Sequence, residues 1–189
     1  SFVPFFLHLP LWGLAIYWVG LVWFRSYGPY AQHNHGHLPV FNRAWANHLY
    51  DAVLTQVTGY PTALWELHHN RGHHRHFLTP KLDVARVTHL KSGKVMSRWW
   101  YALRGNFTIF KDSVRIGHGE KLEGKKSLLS KLYGEAAVQI AISIALLIWN
   151  PWIALFFVLI PCAINSWAIW WESYPHHLHV PLSSTYDAS

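Results

Sequence analysis

Fifteen of the 189 residues are histidine, and twelve of these lie in or near three clusters. The first is HNHGH at residues 33–37, the second HHNRGHHRH at residues 68–76, and the third ESYPHHLH at residues 172–179. His48 is the twelfth and stands apart from the rest. Residues four apart share one face of a helix. His33 with His37, and His69 with His73, can therefore each present two imidazoles to one point, and His74 adds a further nitrogen. Glu172, His176 and His177 repeat that spacing with a carboxylate in the leading place, and His179 follows. Imidazole and carboxylate groups suit iron, zinc, copper or nickel. Even seven or eight of these donors would exceed the four of one tetrahedral zinc and suffice for two metal ions. Glu172 has a second reading, as the first charge after an apolar run. Isolated His8, His89 and His118 read as surface or hydrogen-bonded residues, and for His48 support behind the ligands is one open reading. Arg71 and Arg75, beside the second cluster, read as contacts to headgroups or phosphates.

Such ligands need elements that bring them together. Residues 2–24 carry no formal charge, and neither do residues 136–171. The first run predicts a membrane span over about residues 10–25. A signal peptide fits it poorly, for it has no basic start, no small-residue cleavage site and much tryptophan. The second run is too long for one span. Asn150-Pro151, a turn and helix-breaking dipeptide, divides it into a hairpin of about 136–149 and 152–171. Trp149 and Trp152 mark one interface, Trp170 and Trp171 the other. Residues 41–66 have helical apolar spacing interrupted at Gly59–Pro61, and His48 and Asp51 argue for a surface or re-entrant helix. Residues 26–131 form a cap that holds one or two amphipathic helices. Pro175 argues against an unbroken helix through the third cluster.

The expected fold is an all-α integral membrane bundle of about three spans with a helical cap, one domain over residues 1–189. All sixteen Lys and Arg lie between Arg25 and Lys131, which places the cap on the cytoplasmic side. The first two clusters are joined by a stretch that does not cross, and the hairpin returns the third to the same face. Ample apolar surface excludes disorder, and Cys162, the single cysteine, excludes a disulfide scaffold. Net charge +7 alone would allow nucleic-acid binding. The cations, however, are fenced by apolar runs, so no nucleic-acid partner is expected.

In these clusters the chain resembles the membrane fatty-acid desaturase and hydroxylase superfamily, whose hallmark is three histidine boxes. HNHGH matches the HxxxH form and HNRGHH, at residues 69–74, the HxxxHH form. In the third box HxxHH is absent, and Glu172-x-x-x-His176-His177-x-His179 stands in its place. The resemblance implies a non-haem di-iron centre at the cytoplasmic mouth of the bundle, with O₂ as co-substrate. It implies metal ligands among His33, His37, His69, His73, His74, Glu172, His176, His177 and His179. It further implies a lipid or acyl substrate and an electron donor such as a ferredoxin, a rubredoxin or a cytochrome b5-like protein. Acyl desaturation is the leading activity. Lipid or alkane hydroxylation and carotenoid ketolation use the same boxes, and a degenerate, non-catalytic subunit of a larger membrane complex is the remaining alternative.

Overall fold

The structure is a computed structural model and describes residues 8–77, 79, 82–119 and 125–178. Helices α1 (Leu11–Arg25), α2 (Gly28–His37), α3 (Ala44–Thr58) and α4 (Thr62–Trp65) follow in order. Without interruption α4 becomes a π-helical segment, Glu66–His73, and then a 3₁₀ turn, His74–His76. Next come α5 (Arg98–Gly119) and α6 (Lys125–Trp149). The last rod combines α7 (Pro151–Ala154), a second π segment (Leu155–Leu159) and α8 (Ile160–His177). Among the described residues β pairing is confined to one isolated bridge, Thr88 to Val95. The fold is all-α, as expected.

Leu128–Trp149 and Pro151–His177 are long and apolar enough to cross a membrane. The turn between them forms as its residues dictate. The Asn150 side chain accepts hydrogen bonds from the backbone N–H groups of Trp152 and Ile153, both at 3.1 Å, and Pro151 fills the first helical position. The remaining expected span is helical as Leu11–Arg25. Its fifteen residues rise about 22 Å, short of a roughly 30 Å hydrocarbon core.

The second arm of the hairpin runs past residue 171 to His177, straight through Pro175. Pro175 has no N–H to give the Trp171 carbonyl. The Arg98 Nε supplies one instead, at 2.7 Å, and the guanidinium lies 4.3 Å from the centre of the Trp171 ring. A cap residue thus repairs the bond that proline removes, and the helix continues to the third cluster.

The other π segment is stitched in a related way. Trp18 Nε1 donates to the Phe156 carbonyl at 2.6 Å, and Arg25 Nη1 to the Phe157 carbonyl at 2.9 Å. Arg25 also donates to the carbonyls of Val57 and Gln56 at the end of α3, at 2.9 and 2.6 Å. A buried cation is tolerated there because backbone carbonyls, two of them at the end of α3, surround it. Arg25→Leu is expected to cost about 3 kcal/mol, since it strands several buried acceptors, and to lower the thermal midpoint of the detergent-solubilised protein. Gly59 ends α3 in the left-handed region, φ +81°, and a Cβ there would stand 2.7 Å from that of Cys162.

The core lies under the histidines. Tyr60, Leu64, Leu67, Met96, Tyr101, Ile109, Leu132 and Trp170 form one buried cluster that joins α4, the first π segment, α5, α6 and α8. The π segment approaches α5 closely. At Gly72 a Cβ would meet Ile116 at 2.6 Å and Val84 at 2.7 Å, which accounts for the glycine inside HNRGHH.

Candidate metal centre

Helix α2 presents His33 and His37 on one face, their Nε2 atoms 3.2 Å apart. The π segment and the turn after it bring up the second cluster. A π-helix pairs residue i with i+5, so residues five apart are brought together. His69 and His74 accordingly meet, Nε2 to Nε2 at 2.9 Å, and His69 Nε2 is also 2.9 Å from His33 Nε2. Ligand atoms of His33, His37, His69 and His74 all lie within 4.8 Å of one another. Nitrogens bound to a single ion at about 2.0–2.1 Å stand roughly 3 Å apart. The observed spacings fit that requirement. Trp65 closes the base of the cluster, stacked on His69 at 5.0 Å and edge-on to His33 at 5.8 Å.

His73 turns away from that group to meet the third cluster. Its Nε2 lies 3.0 Å from His177 Nε2. Both rings are fixed from behind. His73 Nδ1 donates to the fully buried carboxylate of Asp83 at 2.9 Å, and His177 Nδ1 donates to the Ser173 carbonyl at 2.6 Å. These bonds assign the proton to Nδ1 and leave each Nε2 lone pair free. The two groups adjoin, with the His69 and His73 ring centres 5.6 Å apart.

Six of the nine proposed ligands are therefore brought together in two adjoining sets. Glu172 and His176, four apart, share a different face of α8 and are exposed. Glu172 accepts a hydrogen bond from the Tyr30 hydroxyl at 2.5 Å. His179 lies outside the described residues. His48 does not stand behind a ligand: its Nδ1 is 4.0 Å from Asp51. Asp51 instead ties α2 to α3 and α6, through His35 Nε2 at 3.2 Å and Lys131 Nζ at 2.7 Å. Arg71 pairs with Glu66 at 3.6 Å. Asp83, Ser173 and Trp65 were not identified from sequence. The one available signal was a lone carboxylate set among Leu82, Val84 and Ala85 in a basic stretch.

Burial favours the neutral form of several rings here, the form that metal ligation requires. Burial, reinforced by His73, takes His68 down to about 3; burial with His73 and His37 takes His74 to about 4, against an ordinary 6.5. His33 and His69 are displaced in the same direction, chiefly by burial. Between pH 6.5 and about 4 the unfolded chain takes up protons that the folded chain refuses. The metal-free fold therefore loses stability as pH falls through that window. Its thermal midpoint is expected to be lower at about pH 5 than at about pH 7.

No curated protein and no solved structure matches the chain. Residues 7–188 match the family model for fatty acid desaturases. With that match over nearly all its length, and histidine boxes converging beside apolar, membrane-length helices, the chain belongs to the fatty acid desaturase family of membrane oxidoreductases.

Proposed function

We propose that the protein is a membrane-bound di-iron oxidoreductase that uses O₂ to desaturate fatty-acyl chains of lipids. The observation that carries this reading is the convergence of His33, His37, His69 and His74 within 4.8 Å, beside the His73–His177 pair. His33, His37, His69 and His74 would hold one ion, and His73 and His177 would contribute to a second. Bound there, non-haem iron supplies O₂ activation and hydrogen abstraction from an unactivated C–H bond. The chain's own groups prepare the site. Asp83 and the Ser173 carbonyl fix the tautomers of His73 and His177, and Trp65 shields His69 and His33 from water. All six donors are imidazoles, which leaves the centre without the negative charge of a carboxylate cage. The basic cap supports a cytoplasmic placement and the docking of an acidic electron carrier such as a ferredoxin, a rubredoxin or a cytochrome b5-like protein, with attraction that weakens in salt.

The test is product analysis with iron-loaded protein, reduced carrier, O₂ and acyl lipids. An alkene without an alcohol or ketone is expected. An alcohol or ketone instead would move the assignment to hydroxylation or ketolation, and no oxidised product from iron-loaded protein would point to a non-catalytic subunit.

A further inference from the structure

A groove of ≈ 520 Å³ runs along the outer face of α8, away from the imidazoles. Ile160, Ala163, Ile164 and Ala168 form its floor, and Trp99, Trp167 and Trp171 its wall. The wall is built from three indoles in contact, with ring centres of Trp99 at 5.3 Å from Trp167 and 4.8 Å from Trp171. Between residues 160 and 172 the helix rises about 18 Å. One leaflet of a roughly 30 Å hydrocarbon core is about 15 Å deep, so the groove follows a leaflet from its middle to its surface. It lies on a membrane-length helix, and tryptophan suits the boundary between acyl chains and headgroups.

An anion lines the surface end, and a cation stands beside it on the Trp171 ring. Glu172 lines it, steadied by the Tyr30 hydroxyl, and has no cationic partner among the described residues. Arg98 stacks on Trp171 and spends its Nε on the Trp171 carbonyl. Its two Nη groups have no carboxylate partner among the described residues. No ion pair joins Arg98 to Glu172. A half-buried cation and an exposed anion, not paired with each other, at the head of an acyl-length apolar groove, complement a headgroup that carries both signs.

We propose that this groove binds one zwitterionic glycerophospholipid, with an acyl chain along residues 160–172, the phosphate toward Arg98 and the ammonium toward Glu172. A guanidinium matches phosphate oxygens in geometry as well as charge. The Glu172 carboxylate attracts a choline or ethanolamine group and repels a headgroup of net negative charge. The inference rests on the membrane placement of α8 and not on any metal.

Native mass spectrometry of the full chain, released from detergent micelles without added metal, tests it. The probes are phosphatidylcholine and phosphatidylglycerol with identical acyl chains. The wild type is expected to retain phosphatidylcholine in preference. Ala163→Trp and Ala168→Trp, which fill an outward-facing groove, are expected to lose the retained lipid with unchanged helical circular dichroism. Glu172→Gln is expected to bind both lipids without preference. Equal retention of the two lipids by the wild type, or unchanged phosphatidylcholine retention in both tryptophan variants, would overturn the assignment. So would a dimer in place of the lipid adduct, since a second copy would then occupy the groove. Product formation and metal content are not part of the readout, so this proposal and the di-iron reading can fail separately.

Discussion

His69→Ala is expected to bind no metal at the four-imidazole cluster while still inserting in membranes with its helices intact. His69 is the hub of that cluster: its Nε2 is 2.9 Å from His33 Nε2 and 2.9 Å from His74 Nε2. Without it, three imidazoles remain, and the His33–His37 pair on α2 meets His74 only through the His37–His74 ring contact at 5.1 Å. Loss of a mere supporting partner already costs roughly 10–100-fold in metal affinity, and loss of a central ligand costs more. The core residues Leu64, Leu67 and Trp170 lie beneath the site and are untouched by the change, so folding is preserved. Elemental analysis of protein from the membrane fraction, with circular dichroism as the control, checks the result. Wild-type metal content in the variant would remove the second box from the site.

Asp83→Ala is expected to weaken metal binding by about 10–100-fold, although Asp83 touches no ion. One oxygen of its carboxylate accepts from His73 Nδ1 at 2.9 Å and from the Ala85 backbone N–H at 2.7 Å. Alanine frees His73 to place its proton on Nε2, the atom that faces His177, and leaves a buried N–H without an acceptor. The second effect costs about 1–3 kcal/mol of stability. Asp83→Asn keeps an acceptor for both donors and loses the charge. It is expected to fold as well as the wild type and to bind metal with intermediate strength. Competition against a chelator separates the three proteins, and a common affinity for all of them would show that Asp83 does not position His73.

What could be read from the residues was what depends on spacing along regular helices. The Asn150-Pro151 turn, the apolar arms on either side of it, the break at Gly59 and the His33–His37 pair all follow from 3.6-residue periodicity and turn chemistry. The partners inside the second box do not. Their i, i+4 spacing suggested that His69 and His73 act together. The π segment brings His69 to His74 and sends His73 to His177 and Asp83, and no local pattern announces a π-helix. The path through Pro175 was hidden for a similar reason. It depends on Arg98, which stands 73 residues before Trp171 and supplies the missing donor. Asp83 likewise acts through tertiary placement. Glu172 fitted a ligand pattern by sequence, yet lies on the α8 face that carries the groove, opposite in use to the face that carries His177.

The most direct test of the central claim, that imidazoles from distant parts of the chain bind iron together, is iron X-ray absorption with metal quantification on protein purified from membranes. About two irons per chain are expected, with a shell of nitrogen neighbours at about 2.0–2.2 Å that is depleted in His69→Ala. Protein that carries no iron when kept under native conditions, or an iron spectrum that His69→Ala leaves unchanged, would contradict it.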